Sequence, residues 1–155
     1  HELEPIANLV IWTAPPSQSV LDAAIHKTSP EKIIVYRQTP NLMSIKNFLQ
    51  RLGGLVKYAI KHRDGKATLD ALATGCAATK ETVRVGLSYW EAKGALAVDY
   101  KDDQMIIIQI NNEPNPDSEK IYKAILNGAL DEARSFRNYF ISGELRNYLH
   151  GNVVN

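Results

Sequence analysis

The stretch TLDALATGCAATKETVRVGLSYWEAKG, residues 68–94, decides the fold. Its leucine spacing predicts a short helix over 68–74. Thr79 has the side chain of a helix N-cap, and a second helix is predicted from there to Lys93. Gly94 then supplies the left-handed residue at which such a helix stops. The stretch therefore predicts two helices separated by a tight turn.

The segment after this stretch carries the signature of a β-hairpin. Leu96–Tyr100 and Met105–Ile110 are apolar, strand-forming runs joined by the polar turn at residues 101–104. With the inter-helix turn placed at Gly75–Ala78, the order is helix, turn, helix, hairpin. This is the order of a winged helix, an elaborated helix-turn-helix.

A long basic helix is predicted upstream, over Leu42–Arg63, because apolar residues recur there every three or four positions. Gly53-Gly54 lies inside it and predicts a kink or a close helix crossing. Between residues 46 and 66 six Lys and Arg face a single acid, Asp64, so the local balance is +6 − 1 = +5. Such a surface suits a phosphate backbone, and an ordinary solvated helix face is the alternative. The predicted nucleic-acid-binding residues are Lys46, Arg51, Lys57, Tyr58, Lys61, Arg63 and Lys66.

The N-terminal residues 7–40 predict a βαβ unit. Its strands are Asn8–Trp12 and Lys32–Tyr36, and Ser17 or Ser19 caps the helix between them. Two strands do not form a stable sheet by themselves. Further strands must come from a preceding domain, from later in the chain or from a partner.

The C-terminal residues 117–150 predict an amphipathic helix that packs on the rest of the chain. Trp12 and Trp90 are predicted to be core residues. With the long helix and the winged-helix-like module spanning residues 41–111, the whole is a mixed α/β (α+β) fold. The residues expected on the inward face of the last helix are Ile121, Ile125, Ala129, Ala133, Phe136 and Phe140.

Composition limits the function classes. The chain has 155 residues, 45% apolar and 23% charged, which excludes disordered and coiled-coil classes. Its net charge is +1, so affinity for a polyanion must come from local clustering. The single cysteine, Cys76, excludes a disulfide framework, is expected to be buried and fits a cytoplasmic location. No apolar stretch approaches the roughly 20 residues that span a bilayer, so no membrane partner is expected. Nor do the scattered histidines form a metal or catalytic motif.

Two other function classes remain open beside single-strand binding. In a winged-helix transcription regulator the second helix would enter the major groove of duplex DNA. Its predicted outward charges are mixed, and Asp102-Asp103 at the hairpin tip would repel phosphate. The third class is a purely protein-docking module. The outward residues in question are Lys80, Glu81, Arg84, Ser88, Glu91 and Lys93.

Both ends of the chain resemble a known family. At the start these are Leu9-Val-Ile-Trp12, Pro15-Pro16-Ser17 and Pro30-x-x-Ile33-Ile-Val-Tyr36; at the end Ser118-x-x-Ile121-Tyr122, Glu132-x-x-x-Phe136 and Glu144-Leu145-Arg146-Asn147-Tyr148-Leu149. These motifs are similar to the two ends of the C-terminal domain of RecJ-type exonucleases, which are specific for single-stranded DNA. The basic helix and the winged-helix-like segment in the middle of the chain also fit that domain.

The resemblance implies that this chain is one compact C-terminal domain of a larger enzyme. That parent would be a metal-dependent 5′→3′ exonuclease of DNA recombination and repair, with Mn²⁺ or Mg²⁺ held by an Asp-His-His motif and clustered aspartates. The motif is absent from this sequence, so no catalytic residue, metal ligand or cofactor is assigned to it. The partners that the resemblance implies are the catalytic core, single-stranded DNA and the single-strand-binding protein or other repair proteins.

Overall fold

The computed structural model describes residues 7–38, 44–101 and 104–142. These form five helices and two small sheets, which confirms the mixed α/β (α+β) class. The chain divides into two compact units. The first unit consists of His1–Pro40 and Glu132–Asn155, and the second of Asn41–Asp131.

The first unit contains the βαβ element. Strands β1 (Asn8–Thr13) and β2 (Lys32–Gln38) pair in parallel, and helix α1 (Gln18–Thr28) connects them. Of the two expected caps, Ser17 is the one used, because its side chain accepts a hydrogen bond from the backbone N–H of Val20. In the described part of the chain this sheet has no third strand.

Only one face of the two-stranded sheet is covered. Ile11 and Val35 pack against a small core that includes residues from α1 and from positions 136–141. Alternate side chains of a strand point to opposite faces. Val10, Trp12 and Tyr36 are accordingly exposed, with Trp12 57% accessible. The prediction that Trp12 is a core residue is therefore wrong. The buried residues of this core are Ala14, Leu21 and Phe140.

The second unit contains most of the remaining elements. Its sheet has the strand order β3 (Lys66–Ala67), β5 (Gln104–Gln109), β4 (Leu96–Lys101), and both pairings are antiparallel. The two-residue strand β3 was not predicted from the sequence, because it is too short to show a period. The elements are α2 (Ile45–His62), β3 (Lys66–Ala67), α3 (Leu69–Cys76), α4 (Lys80–Ala92), β4 (Leu96–Lys101) and β5 (Gln104–Gln109).

Helix α3 is longer than expected, since residues 75 and 76 belong to it rather than to the turn. The left-handed residue that ends it is Ala77, at φ 49°. Gly75 has another role: a Cβ at this position would lie 2.7 Å from Cδ1 of Leu55 on α2. The glycine therefore permits close packing of α3 on α2 rather than a turn.

Helix α5 (Pro116–Ser142) begins in the second unit and ends in the first. Leu126 and Leu130 are buried in the core of the second unit, whereas Ile121 and Ile125 are 58% and 48% exposed. The expected inward face is thus wrong in this half of the helix. Residues 143–150 of the predicted helix lie outside the described residues. The other buried members of this core are Phe48, Leu52, Val56, Leu72, Ala73, Cys76, Val83, Leu87, Leu96, Met105 and Ile107.

Candidate nucleic-acid interface

Helix α2 supplies most of the predicted binding residues. Its N-cap is Ser44, whose side chain accepts a hydrogen bond from the backbone N–H of Asn47 at 3.2 Å. Apolar residues at positions 48, 52, 56 and 59 are buried, so the opposite side of the helix faces solvent. That exposed side is what a bound strand can reach.

Three lysines share one side of the exposed surface. Lys46, Lys57 and Lys61 are all exposed. At 100° per residue they lie within about 60° of one another around the helix axis, and Lys57 and Lys61 are about 6 Å apart along it. None of the three has an ion pair among the described residues. We call these three residues the lysine row.

Arg51 is held by the fold. Its Nε donates a hydrogen bond to the backbone carbonyl of Gly75 at 3.0 Å, near the end of α3. Arg51 therefore ties α2 to α3 while its charge remains near the surface. Next to it, burial raises the pKa of the Cys76 thiol to about 11, although the positive charge of Arg51 acts in the opposite direction. The expectation that Cys76 is buried is confirmed, as its side chain is almost inaccessible.

Tyr58 belongs to a cluster at the end of α2. Its ring lies 4.9 Å from that of His62, centroid to centroid, and Cζ of Arg63 lies 5.7 Å from the centroid of Tyr58. Tyr58 is 54% exposed, so part of its ring remains open to a stacking base. It lies about 100° around the helix from Lys57 and so outside the lysine row.

A polar groove follows the end of α2. Arg63 and Lys66 line it together with Asp64, Thr68 and Gln104, around a volume of about 370 Å³. The fold thus brings two of the predicted cations together around an acid. Thr68 and Gln104 were missed by the sequence reasoning, because they come from separate elements and carry no charge.

The cations of α4, in which we include Lys93 at its C-cap, differ from the lysine row because each has a partner. Lys80 forms an ion pair with Asp70 at 2.8 Å, and Lys93 with Glu119 at 3.6 Å. Arg84 lies over the ring of Tyr100, 5.6 Å from its centroid. The Asp102-Asp103 turn, expected to repel phosphate, lies outside the described residues.

The described residues contain few candidate metal ligands close together. Within the described ranges, no group of three or more His, Cys, Asp or Glu residues could hold a metal ion. These residues do not fit the Mn²⁺ or Mg²⁺ site that the resemblance implies for the parent enzyme, so no catalytic step is assigned to them. No helix in the described part of the chain is both long and apolar enough to cross a membrane.

The candidate interface has three parts, which are the lysine row, the Tyr58 cluster and the polar groove. No protein-family model, curated protein or solved structure matches this chain.

Proposed function

We propose that this chain is a non-catalytic accessory module that binds single-stranded DNA along the exposed side of α2. The observation that carries the proposal is the contrast between two helices. The lysine row is exposed and has no ion pair in the described part of the chain, whereas the cations of α4 are engaged. Phosphates bind most strongly where cations are not already neutralised.

The order and pairing of the second unit support a winged-helix arrangement for it. The element order is α2, β3, α3, α4 and then the β4–β5 hairpin, and β5 lies between the other two strands of the sheet. In a duplex reader, α4 would enter the major groove and present free donors. Because Lys80, Arg84 and Lys93 are engaged within the unit, we favour single-strand binding over a transcription regulator.

A matched pair of triple variants tests this proposal. One replaces the lysine row with Glu (Lys46→Glu, Lys57→Glu, Lys61→Glu). The other replaces the cations of α4 (Lys80→Glu, Arg84→Glu, Lys93→Glu). Both lower the net charge equally, so a difference between them reports position rather than total charge. Fluorescence anisotropy with a labelled single strand gives the Kd over a range of salt concentrations, and far-UV circular dichroism checks folding.

We expect weak binding that falls steeply with salt. For single strands the slope of log K against log salt is about −0.7 per phosphate neutralised, so the lysine row contributes about −2. Replacing it should flatten the slope by that amount and weaken binding at least about tenfold at low salt. The α4 variant should retain most of the affinity. Equal losses in both variants would contradict the assignment to α2.

From the resemblance to RecJ-type exonucleases we further propose that this module lies beside a catalytic core. On that proposal the parent enzyme cleaves the strand with Mn²⁺ or Mg²⁺, and the module guides the strand or recruits repair proteins such as the single-strand-binding protein. The isolated chain, incubated with single-stranded DNA and Mn²⁺, should release no nucleotides. Robust degradation by the purified chain would show that the proposal of a non-catalytic module is wrong.

Protein docking is the second candidate function, and the open face of the β1–β2 sheet favours it. Trp12 and Tyr36 are exposed there, with ring centroids 4.6 Å apart. Such a patch suits a protein partner. Docking through it should be insensitive to salt and weakened by Trp12→Ser. If the chain binds a repair protein equally at low and high salt and has no affinity for single strands, docking replaces DNA binding as the function.

A further inference from the structure

An apolar cavity adjoins the lysine row. It has a volume of about 110 Å³ and lies between α2, α4 and the base of the β4–β5 hairpin. Lys57 and Gln109 bring the longest polar side chains to it. Its principal apolar walls are Gly53, Val56, Ile60, Trp90 and Leu96.

The two glycines of α2 have different relations to this cavity. A Cβ at Gly53 would lie 3.4 Å from Cζ2 of Trp90, whereas a Cβ at Gly54 would meet nothing within 4 Å. The indole ring therefore lies against the bare backbone at Gly53, and the missing side chain leaves the space open. Each glycine costs a helix about 1 kcal/mol relative to Ala. Of the two glycines, only Gly53 lines the cavity, so only there does the missing side chain leave space for a ligand.

The size of the cavity limits its occupant to one ring. An apolar protein cavity of about 150 Å³ holds benzene. A volume of about 110 Å³ with an open side suits a single six-membered ring entering by its edge and leaves no room for a fused pair. Apolar walls beside Trp90 suit the flat faces of such a ring.

Lys57 connects the cavity with the lysine row, because it lines the cavity and belongs to the row. A strand whose phosphates lie on the lysine row would therefore bring its bases to the mouth of the cavity. A single ring attached to a phosphate chain is a pyrimidine nucleotide.

We propose that this cavity receives one pyrimidine base of the single strand bound along α2. The inference rests on the proposed function and deepens it, because it converts a sequence-independent phosphate surface into one with a base preference. Lys57 and Lys61 hold the neighbouring phosphates while the base leaves the stack and enters beside Trp90. The cavity is too small to enclose the fused rings of a purine, so a purine should gain less from it.

The test uses a short abasic strand that carries a single central thymine or a single central adenine. The affinity of the fully abasic strand reports phosphate binding alone. The difference between it and the affinity of a strand with one base reports the contribution of that base. Gly53→Leu fills the cavity, and Gly54→Leu is the matched control on the exposed side. Gly53→Ala, which adds only a methyl group in ordinary contact with Trp90, serves if the leucine variant does not fold. In a Trp12→Phe background Trp90 is the only tryptophan, so its fluorescence reports insertion.

We expect thymine to raise affinity about 5- to 150-fold over the abasic strand, the range known for a base stacked on an aromatic side chain. Adenine should give little gain, and Trp90 emission should change with thymine alone. Gly53→Leu should reduce the thymine gain to that of the abasic strand, while Gly54→Leu keeps it. If the thymine and abasic strands bind equally, or if Gly53→Leu keeps the full affinity gain from thymine, the base pocket is contradicted while the proposed function stands. Failure of every strand to bind at low salt overturns the proposed function as well.

Discussion

Replacing Ala77 with Gly should stabilise the second unit, although the substitution removes a side chain. Ala77 ends α3 in the left-handed conformation, at φ 49°. Its N–H donates to the carbonyl of Thr74 at 3.1 Å, and the N–H of Ala78 donates to that of Ala73 at 3.0 Å. These two bonds form a Schellman motif, which has Gly at the left-handed position in most proteins.

The magnitude follows from two opposing effects. A left-handed conformation costs an L-residue about 1–2 kcal/mol, and Gly is free of this cost. Gly also has more conformational freedom in the unfolded chain, and this lowers the stability of the folded protein by about 0.5–1 kcal/mol. The net expectation for Ala77→Gly is about 0.5–1 kcal/mol of added stability. Ala78, one residue later, does not have a positive φ, so Ala78→Gly should lose about 0.5–1 kcal/mol.

Urea unfolding followed by far-UV circular dichroism measures both variants. With m-values of about 1–3 kcal/mol/M, the midpoint of Ala77→Gly should rise by about 0.2–1 M and that of Ala78→Gly should fall. The opposite signs at adjacent alanines are the diagnostic result. If Ala77→Gly lowers the midpoint as Ala78→Gly does, the left-handed residue is not at 77 and the placement of this turn is wrong.

Four further predictions have defined outcomes. Burial raises the pKa of Cys76 from 9 to about 11, so at pH 8 its thiolate fraction is about 100-fold below that of a free thiol. A thiol reagent should therefore label Cys76 at least about 100-fold more slowly than a free thiol until urea unfolds the chain. The same pKa shift makes the free energy of unfolding fall as the pH rises from about 9 to 11, because only the unfolded chain loses the thiol proton in that range. Urea midpoints measured at several pH values in this range test the expected fall. Thr79→Ala should cost about 1 kcal/mol or more, because Thr79 caps α4 by accepting from the N–H of Thr82 at 3.1 Å, and an unchanged thermal midpoint would contradict this. Arg137→Ala should destabilise the first unit by about 2 kcal/mol or more, since the buried guanidinium donates to the carbonyl of Ala14 at 3.3 Å; limited proteolysis of residues 1–40 should then accelerate.

Element type and position were largely predictable from the sequence, because each helix carries its own start and stop. Ser17, Thr79 and Gly94 lie where the structure has two N-caps and a left-handed stop. These signals act over three or four residues and need no knowledge of the tertiary fold. The order of elements in the second unit follows from them.

The errors concern packing between elements. Gly75 carries the usual sign of a helix end, but its small size serves the contact with Leu55, which a single sequence does not reveal. On α5, both Ile121–Ile125 and Leu126–Leu130 have helical spacing, and only the position of the core decides which pair is buried. Trp12 is exposed because its sheet has one covered face. Periodicity gives the faces of an element but not the number of faces that are covered.

The candidate site also has features that the sequence predicts and features that it does not. The cations of α2 were predictable as a charge excess over one helix. Only the fold shows that these cations divide into a row without ion pairs among the described residues, a residue anchored at Gly75 and a groove around Asp64. The cavity beside Lys57 was not predictable, because its walls come from α2, α4 and both strands of the hairpin.

The two-stranded sheet also affects how the isolated protein behaves at high concentration. In the part of the chain that the structure describes, β1 and β2 each pair with one strand, so the outer backbone amides and carbonyls of both have no ladder partner there. Concentrated solutions should therefore favour growth of intermolecular β-structure from these edges. Pro15 and Pro16, just beyond β1, limit how far such pairing extends, because proline offers no N–H to an incoming strand.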